Sequence, residues 1–385
     1  AGSGAVAGAG AGAVVRAGAG GTSQDPSNQL QRFGQRREEK TARHCKIYRQ
    51  KYKVVPGSSW GSLPEPLQKQ WRELGCDVVF TNKRMYDKPL SSCLSGGTSD
   101  ISPAHPNMTS ILPLIAVMAA TTTRQLSKPS TKNLSLFTYL LPSLTRTVDC
   151  GFRYEYVLGY DRGDPFYDSE KGMAEVTQWF QNNVQTPMQL NGIQITLRLV
   201  RVPNTLKKPG PVFIEMARAA YTAGADYFYR LNDDTELMAA WPSKFVKGLS
   251  TLTGPKGVLG PLCNQGNGGI LTHDFTARVH MEIFEMNYYP PELTDWWMDD
   301  WISLVYGKQR TFRSLEAPVM HHTGMHGTRY TVSSENAGRL AGLVKRGRGQ
   351  IRKWMLTHNT PEAQLRAFDL DTFTKFTIKS LPDEP

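Results

Sequence analysis

Asp226-Tyr227-Phe228-Tyr229-Arg230-Leu231-Asn232-Asp233-Asp234-Thr235-Glu236 runs from an aromatic stretch straight into three carboxylates within four positions. Residues 226 to 231 read as a strand, because aromatic side chains suit a pleated, half-buried surface and the run has strand length. Asp233, Asp234 and Glu236 then stand at its end. Crowded like charges are unfavourable unless a cation neutralises them or water screens them. A hard divalent ion is one resolution, since Mg²⁺ and Mn²⁺ prefer oxygen ligands and leave positions for water and substrate phosphate. A helix cap is the other, with Asp234 or Thr235 ahead of a helix starting near Met238.

Upstream, the pattern repeats. Pro211 opens a helix that runs to about Ala223, and Gly224 ends it where a left-handed residue closes a helix. Before it, Ile193, Ile195, Leu197 and Leu199 alternate with Gln194, Thr196 and Arg198, the period of a strand. A helix is expected over Asp168 to Gln185, where Met173, Val176, Trp179, Phe180 and Val184 recur three or four positions apart. Tyr154 to Gly159 and Leu114 to Ala120 are apolar enough for central strands. The order β-α-β-α-β-α-β predicts a mainly parallel sheet covered on both faces. Ligands bind such sheets beyond the carboxyl ends of the strands. Three of those ends carry hydroxylic or acidic residues: Thr121-Thr122-Thr123, Asp161-Arg162-Gly163-Asp164, and the acids after Asn232.

Three downstream stretches bear on the same site. Gly260-Pro261-Leu262-Cys263-Asn264-Gln265-Gly266-Asn267-Gly268-Gly269-Ile270 is glycine-dense beside an apolar strand. It reads as a loop under a sugar or phosphate, where backbone amides approach closely, or as a tight hairpin. Thr294-Asp295-Trp296-Trp297-Met298-Asp299-Asp300-Trp301-Ile302-Ser303-Leu304 sets an acid pair ahead of a helix, where an N-terminal cap is one reading. Its tryptophans form a sugar-stacking wall or ordinary core. Val319-Met320-His321-His322-Thr323-Gly324-Met325-His326-Gly327-Thr328-Arg329-Tyr330 holds three of the eight histidines. His326 and Arg329 suit a diphosphate, whose oxygens a planar guanidinium binds well.

The passage from Met216 to Asp234 resembles the helix-strand-DxD passage of GT-A glycosyltransferases, in which an Arg-bearing helix leads through a small-residue turn and Asp-Tyr into metal-binding acids. The resemblance extends over roughly residues 110 to 330, and Tyr156-Val157-Leu158-Gly159-Tyr160-Asp161-Arg162-Gly163-Asp164-Pro165 looks like the strand end that meets the nucleoside in that class. It implies an α/β fold of the GT-A (nucleotide-diphospho-sugar transferase) type, a Rossmann-like mixed sheet sandwiched by helices. It implies transfer of a sugar from a nucleoside-diphosphate sugar to a hydroxyl of a glycan, protein or small-molecule acceptor, inverting first and retaining as the alternative. Nucleotide-sugar contacts are expected at Thr121, Thr122, Asp161, Asp164, Arg218, Asp233, Gly268, Gly269, His326 and Arg329. Mn²⁺ or Mg²⁺ would be held among Asp234, Glu236, Asp233 and His322, with His321 as an alternate. The usual Asp-x-Asp reads here as Asp234-x-Glu236 or as the adjacent pair Asp233-Asp234, and both pairings stand. The acid pair implies a general base, Asp300 first and Asp299 as alternate. An acceptor hydroxyl is a poor nucleophile near neutral pH, and a positioned carboxylate contributes roughly 10²- to 10⁴-fold. A sugar nucleotidyltransferase would show a basic glycine-rich loop after the first strand, which Ala119 to Thr123 lacks. A non-enzymatic carbohydrate-binding scaffold would keep the acids as solvated caps.

With 385 residues, 39% of them apolar, the chain can bury one substantial core and a small second one. Residues 1–43 are Ala/Gly-rich and then polar, a disordered low-complexity N-terminus. Residues 44–107 read as a lead-in subdomain, with a helix from Pro64 to Leu74, a strand from Val78 to Phe80, and Cys45 and Cys76 placed to close it in an oxidising compartment. Residues 108–330 would be the catalytic domain and 331–385 a helical tail. Lys plus Arg number 45 against 34 Asp plus Glu, so anions are attracted in general. The basic run from Lys345 to Lys353 reads as a solvated tail or a polyanion contact, and without aromatic interleaving no nucleic-acid partner is expected. Cys45, Cys76, Cys93, Cys150 and Cys263 show no CxxC or Cys/His spacing, which argues against a zinc module. Asn107-Met108-Thr109 and Asn133-Leu134-Ser135 fit the N-glycosylation pattern, pointing to a glycoprotein of the Golgi or ER lumen. The longest apolar run, Ile111 to Ala120, has about half the length a membrane span needs. The chain does not begin with Met, which leaves room for a signal or membrane anchor ahead of it.

Overall fold

The computed structural model describes Cys93 and residues 112–263, 269–326, 329–333, 335–374 and 376–381. Apart from Cys93, the lead-in subdomain with Cys45 and Cys76 lies outside the described residues, as do the N-terminal low-complexity stretch, Asn107 and Gly268. A nine-stranded mixed sheet organises the rest. β1 (Leu114–Thr121), β2 (Arg153–Asp161), β3 (Gln194–Val202) and β4 (Tyr227–Asn232) are parallel neighbours in the order β3-β2-β1-β4. Beyond β4 the sheet continues with β7 (Asp274–Ala277), antiparallel to it, then β6 (Val258–Cys263), β8 (Thr311–His321) and β5 (Thr235–Leu237). β9 (Lys379–Ser380) flanks β8.

Helices cover both faces. α1 (Leu141–Thr147), α2 (Glu170–Phe180), α3 (Thr186–Leu190) and α5 (Pro242–Ser250) lie on one side. On the other lie α4 (Pro209–Thr222), α6 (Val279–Ile283), α7 (Trp297–Val305), α8 (Leu340–Thr357) and α9 (Glu362–Leu370). β1 shows why its sequence is unbroken apolar rather than alternating. Ile115, Val117 and Ala119 enter the first layer, while Leu114, Ala116, Met118 and Ala120 enter the second. Gly159 in β2 has a packing reason, because a Cβ there would stand 2.5 Å from Met216 Sδ on α4.

The expected elements of the parallel half are present, with local adjustments. The helix expected over Asp168 to Gln185 starts after Ser169, whose hydroxyl accepts from Gly172 N at 3.1 Å, and continues through a π-helical segment, Gln181–Gln185, into α3. Pro187 has no N–H and its ring crowds the carbonyl one turn back, which the wider π turn accommodates. Gly224 closes α4 at φ +88°, and Ala225 N reaches back to Ala220 O at 3.0 Å. Asp226 then secures the start of β1, its Oδ2 accepting from Leu114 N at 2.8 Å.

One expectation is corrected. No helix begins near Met238: the residues after the acids form β5, and α5 starts at Pro242, so Asp234 and Thr235 are not helix caps. The basic run lies on a packed helix, α8 (Leu340–Thr357), on which Lys345, Arg346, Arg352 and Lys353 are exposed and Arg348 is buried. α8 buries Leu343, Val344, Gly347, Arg348, Ile351 and Met355, and a Cβ on Gly347 would stand 2.7 Å from Val305 Cγ2 of α7. Arg348 lies under the rings of Phe368 and Phe373, at 4.0 and 4.6 Å. Cys93 and Cys150 form a disulfide, a pairing unforeseen from the spacing. Among the described residues no helix is long and apolar enough to cross a membrane.

His280 on α6 is fully buried between Tyr306 OH at 2.9 Å and Tyr288 O at 2.8 Å, and burial pushes its pKa down to about 4. An unfolded chain's histidine titrates near 6.5. The neutral ring therefore contributes stability above about pH 6.5 that is lost as pH falls towards 4, where the unfolded state binds the extra proton. At 1.36 kcal/mol per pKa unit this amounts to roughly 3 kcal/mol. Urea unfolding of the wild type and His280→Asn should therefore converge by about that much between pH 7 and pH 4. A gap that stays constant over this range would show that burial does not hold the ring neutral.

Candidate active site

The carboxyl ends of β1, β2 and β4 meet, and their side chains bond to one another. Thr121 Oγ1 at the end of β1 donates to Asp233 Oδ2 at 2.6 Å. Arg329 holds the other oxygen of Asp233 at 2.5 Å and reaches Thr122 O at 2.9 Å. Asp234 and Glu236 are met from β8, because β5 pairs antiparallel with it and sets Thr235 opposite His321. His321 Nε2 donates to Asp234 Oδ1 at 2.8 Å, and His322 Nε2 to Glu236 Oε2 at 2.7 Å. Tyr139 stacks on the His322 ring, centroid to centroid 3.8 Å. Burial alone would lower the His321 pKa, yet the Asp234 carboxylate outweighs it and raises it to about 10. Asp234 is correspondingly lowered, its pairing with His321 overcoming burial. Each of the three acids thus has a protein partner of its own.

Several expected nucleotide contacts are spoken for. Asp164 accepts from Thr122 Oγ1 and Thr123 N on one oxygen and from Thr123 Oγ1, Phe166 N and Tyr167 N on the other. A carboxylate offers about four lone-pair sites, so none is left for a ligand and Asp164 instead fixes the loop after β2. Asp161 is bonded by Asn204 Nδ2 at 2.7 Å and paired with Arg124; burial outweighs both and raises its pKa. His326 Nε2 accepts from Ser135 N at 3.0 Å, at the start of the helical segment before α1. Arg218 is not at the site. It lies late in α4, which runs back to the amino end of the strands, and it bonds Glu215, Met286 O and Asn287. Gly269 sits in the connection between antiparallel β6 and β7, and residues 264–268 of that connection lie outside the described residues.

The acid pair lies inside the first turn of α7 rather than at its cap, which is Trp296. Asp299 Oδ1 pairs with Arg230, which is 3% exposed in the middle of β4 and also donates to Thr272 O. Arg230 stands 3.9 Å from Asp274 and 4.7 Å from the Phe213 ring centre. Asp274 in turn accepts from Tyr288 and Tyr289 hydroxyls, both at 2.6 Å. Burial pushes Asp299 up to about 6, partly opposed by Arg230. Asp300, next along, is half-buried. Of the three tryptophans expected as a wall, Trp301 is core, with its Nε1 donating to Leu343 O at 3.2 Å, and Trp296 is 41% exposed. Arg230 had no expected role, although a guanidinium inside an aromatic strand is itself a signal of a buried partner.

Among the described residues, no three of Asp233, Asp234, Glu236 and His322 bring ligand atoms together; Cys263, His273 and His321 do. A nucleotide-bound Mg²⁺ needs only one or two carboxylates. Asp234 and Glu236 fit that requirement in kind, and Glu236 Oε1 is a buried oxygen without a protein partner.

The fold and site thus define an α/β protein whose parallel strand ends carry a cluster of acids, imidazoles and a guanidinium. No protein-family model matches the chain, and no curated protein matches it. A solved structure similar to it is that of S. aureus TarS 1–349 in complex with UDP, which covers 63% of this chain and 69% of that chain at 11% identity and a TM-score of 0.33. So distant a likeness decides nothing about fold or chemistry, which rest on this chain's own residues.

Arg230→Met would leave Asp274 and Asp299 without their buried cation. The unfolding free energy in urea should fall by about 3–5 kcal/mol. A loss below about 1 kcal/mol would mean that Arg230 does not hold the two acids.

Proposed function

We propose that the chain is a nucleotide-sugar glycosyltransferase, with the donor diphosphate at the ends of β1 and β4 and the acceptor beside the start of α7. One observation carries this reading. β4 holds both halves of such a site: Asp233 and Asp234 follow it, and Arg230 within it tethers Asp299, the neighbour of Asp300. Arg124, Asp234 and His322 are partly exposed at the cluster, where Arg124 and His322 can donate to a phosphate and Asp234 can meet its counter-ion.

Asp234 and Glu236, with His322 beside them, would hold Mn²⁺ or Mg²⁺, which as a Lewis acid stabilises the leaving nucleoside diphosphate. Arg329 fixes Asp233 against Thr121 and so sets where Asp234 stands. Asp300 accepts the proton of the acceptor hydroxyl as that oxygen attacks the anomeric carbon. Direct attack inverts the centre. Asp299, held by Arg230, orients the first turn of α7, and Trp296 offers an exposed face for sugar stacking. The Cys93–Cys150 disulfide and the exposed Asn133 of Asn133-Leu134-Ser135 support a place in the secretory lumen.

A panel of nucleotide sugars with Mn²⁺ or Mg²⁺ should release a nucleoside diphosphate and glycosylate an acceptor. Release of pyrophosphate would point to a nucleotidyltransferase instead, and inactivity with no metal uptake to a carbohydrate-binding scaffold.

In that assay Asp234→Asn should abolish turnover while the protein stays folded. Asp300→Asn should keep nucleotide affinity and lose transfer by about 10²- to 10⁴-fold. Near-normal transfer by Asp300→Asn would remove it as the base.

A further inference from the structure

Three strand ends at the border of the acid cluster bring together a different set of donors. Cys263 ends β6, His273 immediately precedes β7 and His321 ends β8, and these strands are adjacent in the order β7-β6-β8. One candidate ligand atom from each lies within 4.8 Å of the others. Cys263 is not in a disulfide. We propose that Cys263, His273 and His321 bind a transition-metal ion of the zinc class, at a site separate from any Mg²⁺ or Mn²⁺ held by Asp234 and Glu236.

The surroundings of both histidines support the assignment. His273 is fully buried, its Nε2 stands 3.3 Å from Thr235 Oγ1, and its Nδ1 is buried without a hydrogen-bond partner. An imidazole nitrogen kept from water and left unpaired is costly, and a metal ion satisfies it. His321 gives its Nε2 proton to Asp234 Oδ1 and is also hydrogen-bonded to Cys263, a contact that a shared metal ion would replace, with Nδ1 as the ligating atom. Metal-bound histidines characteristically donate the other ring N–H to a carboxylate or similar oxygen, which fixes tautomer and ring orientation. Asp234 and Thr235 supply that oxygen here, from consecutive positions at the start of β5. The two rings lie 5.4 Å apart at 69°, edge towards face.

A thiolate with two imidazoles is a soft donor set, suited to Zn²⁺ and unlike the all-oxygen set that Mg²⁺ requires. Zn–S near 2.3 Å and Zn–N near 2.0–2.1 Å place tetrahedral ligand atoms roughly 3.3–3.7 Å apart, so a closure of about 1 Å completes the site. Binding takes Cys263 as the thiolate and both imidazoles as neutral rings, so uptake weakens as pH falls. Three protein ligands leave a fourth position for water or a ligand oxygen.

The full chain, stripped with a chelator and titrated with Co²⁺, tests this independently of any transferase activity. One Co²⁺ per chain should bind with a thiolate-to-metal charge-transfer band, Zn²⁺ should displace it, and Mg²⁺ should not. Cys263→Ser should lose the band, whereas Thr235→Val should keep it and bind about 10- to 100-fold more weakly. Circular dichroism establishes that each variant is folded. In the wild type, Zn²⁺ should also slow alkylation of Cys263, a measurement that needs no variant. Uptake without a thiolate band, a band that survives in Cys263→Ser, alkylation unaffected by Zn²⁺, or no uptake by the folded chain would each overturn the proposal.

Discussion

The three carboxylates after β4 depend on partners delivered from beyond residue 320. Arg329 meets Asp233, His321 meets Asp234 and His322 meets Glu236. The antiparallel pairing of three-residue β5 with the end of β8 sets Thr235 opposite His321, which brings Asp234 and Glu236 on either side of it within reach of His321 and His322. Without them, three like charges would face one another at a poorly hydrated edge, where their repulsion is weakly screened. Each acid therefore has a partner within the protein before any ligand arrives. A diphosphate or an ion entering the cluster exchanges one set of partners for another rather than filling an uncompensated site.

A second buried charge fixes the other half of the site. Arg230 sits in the core with Asp299, Asp274 and the Phe213 ring around it. Removing a guanidinium from water costs several kcal/mol, and only a dense set of charged and hydrogen-bonded partners offsets this. That set ties α7, which bears Asp300, to β4, which leads into the acids. Apolar packing supports the same position from behind, where Gly347 lets α8 approach Trp301 and Val305 on α7. The relative placement of the two acid groups is thus set by one ion pair and one close helix contact.

β1 to β4, the helices between them and the location of acids at strand ends were legible in the sequence. Hydrophobic period, helix-closing glycine and chain order are local signals, and a parallel strand buried on both faces reads as an unbroken apolar run. The mixed half of the sheet beyond β4 was not legible, because β5, β7 and β9 are too short to show a period. Nor were the partners. Thr121 and Asp233 are 112 positions apart and Arg329 and Asp233 are 96 apart, and nothing local records such a meeting. Only the tertiary structure turned Asp164 into a loop bracket, sent Arg218 to the far end of α4, and gathered Cys263, His273 and His321. Which polar groups share a site is decided by strand pairing and layer packing, whereas sequence alone determines which strand ends can bear them.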